Sequence, residues 1–226
     1  MGSKINVLNV YIDDCKAADA LDEVKEALTS YPARVVELVT TDMLMQLKET
    51  DRTREHMADF DLILAGDSEL LSAAGVQDEA ALKEAQDQLF LSLVFQYFHE
   101  QGARVYLLVE SEEESQAFFD YLQQNFPGIQ IAGMARVSAG HRADDMLVNA
   151  INGNEVDCVL SMLGTPLQED FIFRNRTLLN THLFLGLGAE ALPISRKNSV
   201  GEQVTSRLQR WMLKREIEKN KNEEIN

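Results

Sequence analysis

The chain has 226 residues, 45% of them apolar, enough to bury one sizeable core as a single domain. It carries 37 Asp and Glu against 21 Lys and Arg, and its net charge of −16 repels a polyphosphate backbone, so no nucleic-acid partner is expected. Two cysteines, Cys15 and Cys158, are too few for a disulfide framework, and both read as buried thiols of a reducing compartment.

Short β-type runs alternate with longer stretches of helical period, the pattern of βα units that feed a Rossmann-like, mostly parallel sheet flanked by helices. Strands are predicted at Asn6 to Ile12, Arg34 to Thr40, Asp61 to Ala65, Arg104 to Val109, Ile129 to Met134, Asp157 to Leu163 and Leu183 to Leu187. The first helix places Ala20, Leu21, Val24, Ala27 and Leu28 on one face and closes at Tyr31-Pro32. A second runs from Asp42 to about Arg54, capped by Thr41 or Asp42. Glu79 to Gln101 holds one long helix or two short ones, ending at Gly102. Ser111 followed by three glutamates signals a helix start, and Phe118, Phe119 and Leu122 give that helix its buried side.

The last segment differs in charge. From Arg196 to Asn226 there are eight basic and five acidic residues, a net +3 against −19 on the body before it and −16 overall. Val204, Leu208, Trp211 and Met212 share a helical face flanked by Arg207, Arg210, Lys214 and Arg215, which predicts a basic amphipathic appendage over 196–226 behind a body of 1–195. Such a helix can dock on its own domain, or meet a membrane surface or a partner. Met1 to Val10 lacks the features of a signal peptide and no apolar run nears the roughly 20 residues that span a bilayer, so the cytoplasm is the expected location.

In parallel α/β sheets ligands bind beyond the carboxyl ends of the strands, so the residues just past each strand are the candidates. Thr40-Thr41-Asp42 is either an anion-binding helix start or plain capping. Gly66-Asp67-Ser68 delivers a carboxylate that can serve as a general base or cap the next helix. Gly164-Thr165-Pro166-Leu167-Gln168-Glu169 combines a close-approach glycine, a first-turn proline, and an amide and a carboxylate able to hold sugar hydroxyls; it could also be only a well-made helix start. Gly186-Leu187-Gly188 leaves room for a ligand near the backbone. No G-x-G-x-x-G comes after the first strand and no Walker loop occurs, which disfavours a dinucleotide or P-loop site. His56, His99, His141 and His182 have no metal-ligand spacing, and His56 and His99 read as solvated helix residues. Asp13-Asp14 and Asp144-Asp145 read as caps.

The stretch Ala150-Ile151-Asn152, Val156-Asp157 and Gly164-Thr165-Pro166-Leu167-Gln168-Glu169 resembles the hallmark of the WecG/TagA/CpsF glycosyltransferases: Ile-Asn, Pro-Asp with a strand, then Gly-x-Pro-x-Gln-Glu. Thr40-Thr41-Asp42, Gly66-Asp67-Ser68 and Gly186-Leu187-Gly188-Ala189 are similar to that family's Thr-Pro-Asn, Pro-Asp-Gly and final glycine elements, so the resemblance runs over residues 5 to 195. It implies inverting transfer of a sugar, commonly an N-acetylhexosamine, from a UDP donor to a polyprenyl-diphosphate-linked acceptor at the inner membrane face, with no cofactor and no obligate metal. By the same resemblance Asp67 is the general base, and Thr40 and Asp42 shape the cleft. Gln168 and Glu169, with Gly164, Thr165, Pro166 and Gly188, lie around the nucleotide sugar, and Asp87 stands where the family carries a further acid.

The basic tail is similar in charge to the family's membrane-associated appendage, although the family's Arg-rich stretch is much altered in it. A partner subunit, including a second copy of the chain in a homo-oligomer, could cover apolar surface there. The sequence departs from the family at Asp42 for asparagine, at Ser68 for glycine, at Leu192 for aspartate, and at Leu107-Leu108-Val109-Glu110 for a Leu-Leu-Gly-Gly turn. The last of these adds a carboxylate where a pyrophosphate would be bound. It leaves open a catalytically silent relative that binds a nucleotide sugar or acts as a scaffold.

Overall fold

The computed structural model describes residues 3–47, 51–138, 144–189 and 212–219. The chain opens with a hairpin, β1 (Ser3–Val7) and β2 (Val10–Asp14), followed by α1 (Ala17–Ala27), β3 (Arg34–Val39), α2 (Thr41–Leu47) and α3 (Asp51–Met57). Then come β4 (Leu62–Ala65), α4 (Ser68–Ala74), α5 (Glu79–Gln86), α6 (Leu89–Gln101), β5 (Arg104–Val109) and α7 (Glu112–Asn125). The rest is β6 (Gln130–Arg136), α8 (Asp144–Gly153), β7 (Cys158–Ser161), α9 (Leu167–Asn175), a short 3-10 turn at Arg176–Leu178, and β8 (Leu183–Gly186). Six strands form one sheet in the order β4-β3-β8-β7-β5-β6. Every pairing in it is parallel, as the alternation predicted.

The predicted first strand is a correction. Leu8 and Asn9, both at positive φ, turn the run back on itself as a two-residue hairpin that stays outside the parallel sheet. That hairpin lies against the β4 edge, where Asp13 accepts the Ile63 N–H at 2.9 Å and is paired with Lys4 at 3.1 Å. Asp13 therefore covers an edge rather than capping a helix.

The sheet is buried on both faces, so its strands read as continuous apolar runs. Val35, Val39, Ile63, Leu108, Val159 and Phe184 face α2, α8 and α9, while Val36, Leu38, Leu64, Leu107, Leu160 and Leu185 face α1, α6 and α7. Two carboxylates pin the strands' amino ends: Asp61 accepts Val35 N–H and Asp157 accepts Arg104 N–H, each at 2.8 Å.

Helix boundaries reflect local chemistry. Ser111 and Glu114 complete a capping box at α7, and Gly102, at φ 63°, stops α6 in the left-handed conformation. The Glu79 to Gln101 stretch breaks in two at Asp87-Gln88, where Gln88 takes φ 51°. Of the predicted second helix, Thr41–Leu47 and Asp51–Met57 are helical, and Met43 N–H is capped by the Thr40 hydroxyl at 3.2 Å, with Thr41 and Asp42 already inside α2.

Residues 212–219 are helical, with Leu213 and Ile217 in the core and Met212 exposed. That part of the tail docks on the body through a different face from the one predicted. Val204, Leu208, Trp211, Leu192, His141 and the domain boundary near 195 lie outside the described residues. No helix among the described residues is long and apolar enough to cross a membrane.

Candidate active site

The candidate residues lie just beyond the carboxyl ends of β3, β4, β7 and β8 and form two hydrogen-bonded groups. Val39 and Ala65 end neighbouring strands in register, which brings Thr40-Thr41 beside Gly66-Asp67. Asp67 is buried and caps α4: its Oδ1 accepts Leu70 N–H at 2.7 Å and the Thr41 hydroxyl at 2.9 Å, and its Oδ2 accepts Thr41 N–H at 2.7 Å. One carboxylate thus ties two helix starts together. Its two oxygens offer about four lone-pair sites, so three bonds leave one for a reacting group. Burial pushes the Asp67 carboxyl above the usual range, against the pull of the Thr41 and Leu70 hydrogen bonds. That direction suits a general base, because a more basic carboxylate takes a proton more readily.

The second group gathers at the β7–α9 turn. Gln168 and Glu169 open α9 and are buried, and Glu169 Oε1 accepts the Thr165 hydroxyl at 2.7 Å. The Gln168 amide nitrogen donates to Glu37, a residue at the centre of β3. Glu37 lies on the same sheet face as Val35 and Val39, the face covered by α9, and is wholly buried. Gly186, its register partner on β8, makes room for it: a Cβ there would collide with Glu37 Oε2 and stand 2.7 Å from the Gln168 amide nitrogen. Burial raises both glutamates above the usual carboxylate range; the charge of Glu169 pushes Glu37 further and Asp170 adds to the rise at Glu169.

Glu37 was missed by the sequence reading. Its signal is a single carboxylate in Val35-Val36-Glu37-Leu38-Val39, a strand with no solvent-facing side.

The remaining predicted residues fall into place unevenly. Gly164 lies in the same turn, and its N–H donates to the carboxylate of Glu110, the residue after β5. Pro166 is the residue before α9, and Gly188 lies just past β8 at φ 70°. Asp42 sits in the first turn of α2. Asp87 is exposed at the C-terminal end of α5 and is not a partner in the Asp67 or Glu169 hydrogen bonds. A cavity of about 320 Å³ opens beside Gly66 at the sheet edge, with Leu38, Leu64 and Phe90 in its walls and Asp13, Asp14 and Glu84 around them.

Two histidines and one cysteine are corrected here. His56 is buried and stacked on Phe173 at 3.4 Å because α3 packs across α9, and His99 Nδ1 accepts Gly128 N–H at 2.6 Å where α6 meets the turn before β6. Cys158 is buried as expected, whereas Cys15 is exposed at the end of the hairpin, its thiol raised to about 11 by desolvation and neighbouring aspartates.

Residues 5–199 match the family profile described as the glycosyl transferase WecG/TagA/CpsF family. The chain belongs to the WecG/TagA/CpsF glycosyltransferase family. Comparison with curated proteins gives no match. Membership makes a sugar donor and an acceptor the substrate classes, and the family match spans both the Asp67 and the Gln168-Glu169 groups.

Proposed function

We propose that this family member transfers an N-acetylhexosamine, or a related hexose, from a UDP-sugar to a polyprenyl-diphosphate-linked acceptor in cell-surface polysaccharide or wall-polymer synthesis. Asp67 takes the proton of the acceptor hydroxyl as its oxygen bonds to the anomeric carbon. The bond from that carbon to the β-phosphate oxygen breaks, UDP leaves, and the configuration inverts. Gln168 and Glu169, with Gly164, Thr165, Pro166 and Gly188, hold the donor; Thr40 and Asp42 shape the cleft.

The observation that carries this reading is the buried Asp67 carboxylate at a strand's carboxyl end, locked in one orientation and made more basic by burial. Incubation of the protein with a UDP-N-acetylhexosamine and a polyprenyl-diphosphate-linked acceptor, with release of UDP and the anomeric configuration of the product as readouts, tests it. UDP release coupled to an inverted product supports the reading, and UDP-sugar binding without transfer to any such acceptor argues against it.

Binding without transfer is the second reading, a silent relative that holds a nucleotide sugar or scaffolds a synthesis complex. Glu110 favours it, because its carboxylate occupies the Gly164 N–H and sets a negative charge where a diphosphate would look for donors. The basic tail would bring either protein to an anionic inner membrane face. Charge reversal at Lys214 and Arg215 is then expected to weaken binding to anionic vesicles in a salt-sensitive way, and equal binding would remove the membrane role.

A further inference from the structure

Glu37, Gln168 and Glu169 leave three buried acceptor atoms without a hydrogen-bond partner: Glu37 Oε2, Gln168 Oε1 and Glu169 Oε2. A buried acceptor without a donor is costly, and three in one cluster need a common solution. The Gln168 amide nitrogen is already committed to Glu37, and the Thr165 hydroxyl to the other oxygen of Glu169. On the β8 side there is no space for a water, since even a Cβ at Gly186 would collide with Glu37 Oε2. One proton is the smallest donor that fits. Placed on Glu37 Oε2, it turns an acceptor into a donor, satisfies two of the three orphan atoms at once, and leaves one acceptor for a ligand.

We propose that Glu37 is a positioning residue of the donor site, holding the Gln168 amide and the Glu169 carboxylate in one orientation from the strand beneath them. The proposal rests on the reading of Gln168 and Glu169 as donor-binding groups. Glu37 acts as a neutral acid: its carbonyl oxygen accepts from Gln168, and its hydroxyl donates to Gln168 Oε1 or Glu169 Oε2. The acceptor that remains takes a hydroxyl or the N-acetyl N–H of the donor sugar.

The surroundings favour the neutral form. The register partners from β4 and β8 are Ile63 and Gly186, which carry no charge. From α9 come Glu169, which acts on Glu37, and Asp170, which acts on Glu169, so the facing charges are acidic. Loss of the proton would put a second buried negative charge beside Glu169 and turn the amide and carboxylate apart. Donor affinity therefore falls as pH rises through the raised titration of Glu37.

The test compares the wild-type protein with Glu37→Gln and Glu37→Met, each checked for folding by circular dichroism. Binding of UDP-N-acetylglucosamine, UDP-N-acetylmannosamine and UDP is measured by calorimetry from mildly acidic to alkaline pH. Glutamine keeps one acceptor and one donor and cannot lose a proton, so Glu37→Gln is expected to bind within about twofold of wild type at the acidic end and to lose the pH dependence. Methionine keeps the volume and removes both hydrogen-bonding functions, so Glu37→Met is expected to bind roughly tenfold more weakly. Should Glu37→Met fail to fold, the pH profile of Glu37→Gln decides. Glu37→Gln binding as poorly as Glu37→Met, or keeping the wild-type pH profile, overturns the role of Glu37 alone. Wild-type protein that binds none of the three overturns the donor-site reading and the role of Glu37 with it.

Discussion

Replacing Asp67 by asparagine separates the two jobs this side chain holds. The carboxylate accepts two bonds at Oδ1, from Leu70 N–H and the Thr41 hydroxyl, and one at Oδ2, from Thr41 N–H. An asparagine that keeps the better-bonded oxygen must point its amide at the Thr41 N–H, donor against donor. Leaving that buried N–H unsatisfied costs about 1–3 kcal/mol, and loss of the charge weakens the two bonds that remain. The expected result is a protein that folds, is less stable by that amount in urea titration, and binds a UDP-sugar nearly as wild type does. Transfer should fall by about 10²–10⁴-fold, the usual contribution of a general base. The assay is UDP release at saturating donor and acceptor, with urea unfolding and calorimetry on the same preparation. Unchanged turnover with the stability loss would refute the reasoning, because Asp67 would then only tie the starts of α2 and α4 together.

The buried cluster and the altered turn carry three further expectations. Gly186→Ala should destabilise the fold by about 1–3 kcal/mol in urea unfolding, since the new methyl lands on Glu37 Oε2 and the Gln168 amide, neither of which has room to retreat; a neutral result would show that the cluster can relax. Glu37 titrates higher in the folded chain than in the unfolded one, so its contribution to stability is complete below the unfolded value and is lost as pH rises through the raised folded value. Glu37→Gln should flatten that decline, and an unchanged slope of unfolding free energy against pH would contradict it. Glu110→Gly frees the Gly164 N–H and removes a carboxylate, so UDP affinity should rise by roughly fivefold or more, worth about 1 kcal/mol; calorimetry showing weaker binding would mean that Glu110 supports the turn instead.

The parallel sheet was legible because a strand buried on both faces leaves an uninterrupted apolar run, and helix signals between the runs were local: the helix start at Ser111 and the stop at Gly102 both formed as expected. The hairpin was not legible, because Leu8 and Asn9 turn the chain without the glycine that usually announces such a turn. Thr40 rather than Thr41 caps α2, a one-residue difference that only the cap geometry resolves.

At the candidate site, strand ends could be read as places but not as contacts. Asp67 and Thr41 meet because β3 and β4 pair in register over 26 residues of sequence, and Glu37 meets Gln168 across 131. Spacing along the chain carries no trace of either. Glu37 shows in the sequence only as one charge within an apolar run, and a central strand of a parallel sheet offers that charge no solvent side. His56 was misjudged for a similar reason: the face of a short helix that meets α9 is fixed by Phe173 on the other side of the contact.

Whether the Gln168-Glu169 turn holds a nucleotide sugar decides the donor site and the role of Glu37 together. Calorimetric titration with UDP-N-acetylhexosamines, with and without divalent metal, tests it most directly when wild type is run beside Gln168→Ala and Glu169→Ala. Metal-independent binding that weakens in both variants is the predicted result, and either no binding by wild type or binding that both variants retain would contradict it.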